Sequence, residues 1–219
     1  MPSPLAAIAD SWPKSTIPTP LVWLKFEDNL TDDGSAGATW AWKQAETADT
    51  NATGVYATGN GGGKAASFDG SSGMPVVRST DVCALIQGKT AWTFAMDFKH
   101  GAVNTDRRHF SIVGLFVTAI EDTVVYCQLS STTGGAQWTG ASVSSIGTSA
   151  WHTYTVTYNG TAGEVKVYLD GSLKATGTAN SGAMSSPNVD AYVGNAYWNT
   201  TNTTGLVDNV KIWDSVVTP

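Results

Sequence analysis

The segment from Trp151 to Ala175 constrains the fold of this chain more than any other part of the sequence. Side chains alternate from Trp151 to Tyr158 and again from Glu164 to Leu169, a period of two that is typical of strands with one buried face. An Asn-Gly pair follows the first run and an Asp-Gly pair the second, and both pairs favour tight turns. The sequence therefore predicts three antiparallel strands in series. The side chains expected in the core are Val156, Val167 and Leu169.

The rest of the sequence has a composition of strands and turns. It contains 23 glycines, only 14% charged residues and no long segment of the residue types that favour helices. The run Ala91–His100 alternates most regularly and predicts a strand with three aromatic side chains and Met96 in the core and the opposite face in solvent. About a dozen strand candidates predict an all-β fold of two packed antiparallel sheets, a jelly-roll β-sandwich.

Charge and hydrophobicity argue against two classes of partner. A net charge of −6 and a pI of about 4.8 argue against nucleic acid, because a phosphate-binding surface is normally basic. The sequence has no apolar run of about 18 residues, so we expect no membrane insertion, and its first residues lack the basic and apolar regions of a secretory signal. Cys83 and Cys127 have apolar neighbours and no metal-ligand spacing, which favours buried thiols over the alternative of a disulfide.

Residues 1–20 differ in composition from the rest of the chain. Five of the eight prolines fall here, and no periodic pattern continues through them, which predicts an extended N-terminal arm ahead of a sandwich domain at 21–219. One interpretation is a disordered tail. The other is an arm that orders against a neighbouring subunit, with Leu5, Ile8 and Trp12 as its apolar anchors.

Four segments occur in an order that resembles a known family. They are VWLKFEDNLTDDGSAG, AASFDGSSG, WHTYTVTYNG with VKVYLDGSLKA, and LVDNVKIWDSVV, and together they span Leu21 to Val217. The third is the most specific, because it is similar almost position by position to the WHHVAVTYDG…LYVDG hairpin of laminin G-like domains in the concanavalin A-like lectin/glucanase superfamily. The resemblance implies a jelly-roll sandwich used mainly for binding, although a fold alone does not assign a function.

The same resemblance implies a candidate calcium site. Some members of the family bind calcium near a sheet edge, and the matching positions here are Asp28, Asp32 and Asp208. The family often has two aspartates before the last strand, whereas this chain has Asp208 followed by Asn209. Calcium needs about six to eight oxygen ligands, so the alternative is that these aspartates cap turns by accepting hydrogen bonds from backbone N–H groups.

Catalytic patterns are not recognisable in this sequence. A glycoside hydrolase needs two carboxylates facing the scissile bond, and none of the four glutamates lies in a Glu-x-Asp-x-x-Glu motif. There is no Gly-x-Ser-x-Gly motif, and the spacing of His100, His109 and His152 does not indicate zinc. The sequence therefore predicts a protein that is not an enzyme.

Aromatic residues in polar loops indicate a binding surface instead. The chain has nine tryptophans, and several lie in segments rich in Gly, Asn and Thr, where flat rings stack on sugar faces and amides bond hydroxyls. The alternative for Trp198 is that it folds back to cover the end of the sandwich. The candidate glycan-binding residues are Trp138, Tyr197, Trp198 and Asn199.

These observations leave three hypotheses for the function. The preferred one is an interaction or adhesion module displayed on a larger assembly, most simply a phage virion surface protein of the capsid-decoration or tail type. Its partners would be a neighbouring virion protein contacted by the N-terminal arm, a cell-surface glycan, and further copies of the chain in a homo-oligomer. Its location would be the surface of a virion or other extracellular particle. The alternatives are a free-standing carbohydrate-binding lectin and a hydrolase.

Overall fold

A computed structural model of the chain shows two antiparallel sheets packed face to face. The structure describes residues 17–44, 47–71, 74–102, 109–112, 115–131, 134–178, 182–184, 189–194 and 203–219. Among the residues just named there is one helix, α1 (Val82–Ile86), between the sixth and seventh strands. Among the described residues no helix is long and apolar enough to cross a lipid bilayer.

Sixteen strands are present in the described part of the chain, more than the dozen expected from the sequence. In chain order they are β1 (Val22–Leu24), β2 (Ala41–Gln44), β3 (Thr47–Asn51), β4 (Tyr56–Thr58), β5 (Lys64–Asp69), β6 (Pro75–Ser79), β7 (Ala91–His100), β8 (Phe110–Ile112), β9 (Phe116–Ile120), β10 (Val124–Ser131), β11 (Gly134–Ser142), β12 (His152–Asn159), β13 (Glu164–Leu169), β14 (Ser172–Thr178), β15 (Ala191–Val193) and β16 (Thr204–Trp213).

Each sheet has eight strands. The first, sheet A, has the order β14-β13-β12-β7-β16-β5-β4, with β1 paired to the second half of β16. The second, sheet B, has the order β11-β10-β9-β8-β15-β6-β2-β3. In both sheets some adjacent strands are joined by hairpins, whereas others, such as β7 and β16, are far apart in sequence, as expected of a jelly roll. The predicted all-β sandwich is therefore confirmed.

The segment that constrained the prediction forms β12, β13 and β14 in series. Val156 and Val167 are fully buried and pair directly across β12 and β13. Leu169 is buried as well, and Asp170 has a φ of 51° in the turn that follows. The predicted meander and its core residues are confirmed.

The opposite face of β7 differs from the prediction. Thr93, Ala95 and Asp97 were expected in solvent but are all buried. The C-terminal segment crosses this outer face, where the Thr93 hydroxyl donates to Ser215 O at 2.8 Å and accepts from Val217 N at 2.8 Å. Alternation identifies which side chains share a face but not what later covers that face, and here the C-terminal segment covers it at Thr93.

The beginning of the described chain also packs on this outer face. Ile17 contacts a small apolar cluster of Ala95, Trp213 and Val217, and Trp213 Nε1 donates to Pro18 O at 2.8 Å. Residues 17–20, the last part of the predicted arm, therefore contact the sandwich. The division of the chain at residue 20 stays a prediction, and Leu5, Ile8 and Trp12 lie outside the described residues.

The two cysteines are buried and not bonded to each other. Cys127 lies fully within the core, and burial raises the pKa of its thiol to about 12. A thiol in this state is not reactive at neutral pH, so both cysteines act as small core residues, as the sequence indicated.

Candidate functional site

A cleft of about 540 Å³ lies on the outer face of sheet A. Its floor is formed by sheet residues that include Asp97 and Thr153, and its apolar wall by Trp23 and Trp213. Residues 17–20 and Pro219 form one side of its rim. We call this feature the outer-face cleft; it combines aromatic side chains with converging polar groups, the usual composition of a small-molecule site.

A bulge in β16 brings three polar residues to this face. Asp208 is opposite Asp97 and Lys211 is opposite Ala95, so β16 has one more residue than β7 between these pairs. The extra residue is accommodated at Asn209, whose φ is +49°. Bulges of this kind change which side chains share a face. Asp208, Asn209 and Lys211 therefore all lie on the outer face, although strict alternation would turn one of them toward the core.

Asp97 is the centre of a hydrogen-bond network in the cleft. Its Oδ1 accepts from Thr153 Oγ1 at 2.7 Å, and its Oδ2 accepts from Asn209 Nδ2 and Asn60 Nδ2, each at 3.1 Å. Asn209 Oδ1 in turn accepts from Trp23 Nε1 at 3.1 Å. Because each group has a partner within the network, the Trp23 ring and the Asn209 amide are held in fixed orientations.

Asp208 lies next to this network under the loop that begins at Gly59. Its Oδ2 accepts from Asn60 N at 3.0 Å and its Oδ1 from Asn209 N at 2.7 Å. A β-carbon at Gly59 would lie 2.7 Å from Asp208 Oδ2, so only glycine lets the loop approach the carboxylate this closely. Burial raises the pKa of Asp208 to about 7, an effect that the two N–H donors oppose and that the nearby Asp97 and Glu27 strengthen.

Two lysines lie over the indole ring of Trp23. Lys25 Nζ is 4.0 Å from the ring centroid and Lys211 Nζ is 4.7 Å from it, distances typical of cation–π contacts. Lys25 also pairs with Asp33 at 2.6 Å. Desolvation lowers the pKa of Lys211, in spite of opposite contributions from Asp97 and Asp208. Lys211 lines the cleft, whereas Lys25 does not.

Trp138, predicted from sequence to bind glycan, lies elsewhere. It is on β11 of sheet B, is 49% exposed, and packs against Tyr126 with ring centroids 5.1 Å apart. The absence of a side chain at Gly140 leaves room for Tyr126. Trp138, packed on the partly buried Tyr126, is a second candidate surface for a sugar. The other predicted glycan residues, Tyr197, Trp198 and Asn199, lie outside the described residues, so the structure does not test them.

The three predicted calcium ligands have different surroundings. The carboxylate of Asp32 accepts backbone N–H bonds from Trp23 at 2.7 Å, Gly34 at 2.8 Å and Ala38 at 2.7 Å. Asp28 is exposed and lies 3.7 Å from Lys64 Nζ. Within the described ranges no three His, Cys, Asp or Glu side chains form a group that could hold a metal ion. The structure does not test the calcium site, which stays a prediction.

The comparison with solved structures finds many similar folds. Domain 4 of AbnA, a GH43 extracellular arabinanase from Geobacillus stearothermophilus solved with arabinotriose, has a TM-score of 0.67 at 18% identity and covers 92% of this chain and 95% of its own. The binding domain of botulinum neurotoxin serotype G has a TM-score of 0.68 at 13% identity, and that of Paraclostridial Mosquitocidal Protein 1 has 0.69 at 11%. Identities this low show the fold alone.

The two toxin matches cover 90% and 91% of this chain, which spans 48% and 49% of the toxin binding domains. Two of these three structures are named as binding domains. A search of curated protein sequences finds no match. The family model described as the concanavalin A-like lectin/glucanases superfamily matches residues 71–219. Because this match covers more than half of the chain, the protein belongs to the concanavalin A-like lectin/glucanase superfamily.

Proposed function

We propose that this domain binds carbohydrate in the outer-face cleft. The observation that carries the proposal is the fixed network in which Trp23, Asn209, Asp97 and Thr153 are joined by hydrogen bonds on one side of a cleft of about 540 Å³. Sugars are recognised by such combinations of oriented polar groups and aromatic surface. Domain 4 of the arabinanase, similar in fold, was solved with arabinotriose, which adds support for this class of ligand.

The network is suited to binding rather than to hydrolysis. Asp97 already accepts three hydrogen bonds from neutral donors, and Asp208 lies beneath the loop at Gly59 and does not line the cleft. A hydrolase needs two carboxylates that both reach the scissile bond. We therefore propose a non-catalytic binding module.

The two aromatic surfaces can be separated by matched substitutions. We expect Trp23→Ala to weaken binding of oligosaccharides such as arabinotriose at least tenfold in isothermal titration calorimetry, because the indole both forms the wall and anchors Asn209. Trp138→Ala is the control on sheet B and is expected to leave the affinity unchanged. If Trp138→Ala abolishes binding and Trp23→Ala does not, the surface at Trp138 on sheet B is the site. If no oligosaccharide binds the wild type, the proposal is wrong.

Display on a larger assembly, most simply a virion surface, is the finer part of the proposal. The apolar residues Leu5, Ile8 and Trp12 in the sequence of the arm support it, and the contact between Pro18 and Trp213 holds residues 17–20 at the rim of the cleft. An arm that attaches to a neighbouring assembly protein would place the cleft close to that attachment. The truncation described in the Discussion tests this part separately from sugar binding.

A further inference from the structure

Most polar side chains of the outer-face cleft already have partners within the protein. The Asp97 carboxylate accepts three hydrogen bonds, and the Asn209 amide both donates to Asp97 and accepts from Trp23. The indole N–H of Trp213 donates to Pro18 O. A ligand therefore finds one acceptor site left on Asp97 and one N–H and one acceptor site left on Asn209 in the described structure.

Lys211 is the cation among the described lining residues. Its ammonium group lies over the Trp23 ring, 4.7 Å from the centroid, and forms no ion pair within 4.0 Å in the described part of the chain. The other cation on the same ring, Lys25, is paired with Asp33. Lys211 is only partly exposed, and desolvation lowers its pKa. A half-buried ammonium with three N–H donors and no carboxylate partner is suited to bind an anion.

We propose that the cleft takes a saccharide with one anionic group, a carboxylate or a sulfate ester, bound to Lys211 Nζ beside the Trp23 ring. The inference rests on the proposed carbohydrate function and specifies its ligand class. Hydroxyl groups of the same saccharide lie toward the network at Asp97 and Asn209.

The charges around Lys211 limit the ligand to one anionic group. Asp97 and Asp208 are close enough to Lys211 to affect its pKa, and the chain has a net charge of −6. A second anionic group on the ligand would therefore be repelled by these carboxylates and by the field of the whole protein. A polyanion such as a heavily sulfated polysaccharide is the wrong partner for this cleft, whereas in a sugar with a single charge the contact with Lys211 offsets the repulsion on that one group.

The experiment uses matched pairs of oligosaccharides on an array, followed by titration calorimetry of the full chain. Each pair has the same neutral backbone with and without one glucuronic acid, one sialic acid or one sulfate ester. We expect the charged member of at least one pair to bind at least tenfold more tightly than its neutral partner. The carboxylate and sulfate arms show which anion is preferred.

Substitutions at Lys211 connect that preference to the cleft. Lys211→Met is expected to bind the charged and neutral members equally, and Lys211→Arg to keep the preference. Lys166→Met is the control, because Lys166 lies on β13 of the same sheet and pairs with Glu164 at 2.7 Å. Thermal melts of each variant show whether the protein remains folded.

Two outcomes separate this inference from the proposed function. If neutral oligosaccharides bind the wild type as tightly as their charged partners, and Lys211→Met changes nothing, the anionic ligand class is wrong while carbohydrate binding stands. If neither the neutral nor the charged oligosaccharides bind, both proposals fail together.

Discussion

Asp97 and Asp208 are directly opposite each other across β7 and β16, so two carboxylates meet on the outer face of sheet A. Both are buried, with 9% and 3% of their surface exposed. Two buried carboxylates side by side disfavour ionisation of at least one of them, and here the pKa of Asp208 is raised to about 7, chiefly by burial. This arrangement costs folding free energy at neutral pH and leads to the first prediction.

Asp208→Asn should change how the free energy of unfolding depends on pH. In the folded state the pKa of Asp208 is about 7, compared with 3.8 for an unperturbed aspartate, so the folded protein binds this proton more tightly than the unfolded chain does. The contribution of Asp208 to stability is therefore fully present below pH 3.8 and is lost as the pH rises through about 7. As the pH rises from 3.8 to about 7, the wild type should therefore lose unfolding free energy relative to Asp208→Asn.

Urea denaturation of both proteins at several pH values measures this difference. Asn keeps one acceptor oxygen but loses the second, so an offset that does not depend on pH is also expected. A difference between the two proteins that is the same at every pH would show that Asp208 has an ordinary pKa.

The carboxylate of Asp32 should stabilise the fold without a metal ion. It accepts backbone hydrogen bonds from Trp23, Gly34 and Ala38, so Asp32→Ala leaves N–H groups without an acceptor and should cost about 1 to 3 kcal/mol of unfolding free energy. Asp33→Ala is the control, because Asp33 is half exposed and pairs only with Lys25 in the described structure. Thermal melts of the wild type with added calcium and with chelator test the calcium prediction in the same experiment. Equal melting temperatures would favour Asp32 as a turn cap, whereas a higher melting temperature with calcium would favour a bound calcium ion.

The meander should tolerate substitution only on its exposed side. Val156→Ala or Val167→Ala removes methyl groups from a fully buried site and should cost about 2 to 4 kcal/mol, because a cavity adds to the lost transfer free energy. Leu173→Ala on β14 is the control, since Leu173 is 52% exposed and should cost less than about 0.5 kcal/mol. Equal losses for the buried and exposed positions in chemical denaturation would contradict this packing.

The N-terminal arm should divide into two parts with different roles. Deletion of residues 1–16 is expected to leave the melting temperature unchanged but to abolish co-sedimentation with a larger assembly, if Leu5, Ile8 and Trp12 anchor the chain to its neighbour. Deletion of residues 1–20 should also lower the melting temperature, because it removes the Ile17 contact and the acceptor for Trp213 Nε1. A shorter chain that still joins the assembly at full occupancy would assign attachment to the sandwich.

The sandwich could be predicted from sequence because its central strands obey local rules. The alternation around Val156 and Val167, and the Asn-Gly and Asp-Gly pairs of the turns, involve residues that are close in sequence, so the pattern is visible in the sequence itself. The cleft depends instead on long-range pairing: Trp23 meets Lys211, and Asp208 meets Asp97, only because β16 lies between β1 and β7. Pairing between strands that are distant in sequence leaves no pattern among neighbouring residues. The sequence analysis therefore selected tryptophans in polar segments and missed Trp23 in β1.

One part of the cleft did have a signal. Asp97 interrupts an otherwise apolar and small-residue stretch in β7, and a buried charged residue usually has a specific reason to be there. The prediction that its face lies in solvent hid this signal, because an aspartate in solvent needs no explanation. Asp97 is buried instead among Thr153, Asn209 and Asn60, whose side chains donate to its carboxylate.

The single extra residue in β16 also shows how a small change in sequence would alter the side chains that line the cleft. Removing it would restore strict alternation between Asp208 and Lys211, and a slip of one residue turns a side chain to the other face of a sheet. Asn209 would then be lost from the network or directed into the sandwich, while the strand pairing on either side could persist. A deletion of one codon inside β16 would therefore remove polar groups from the lining of the cleft while leaving the sandwich around it in place.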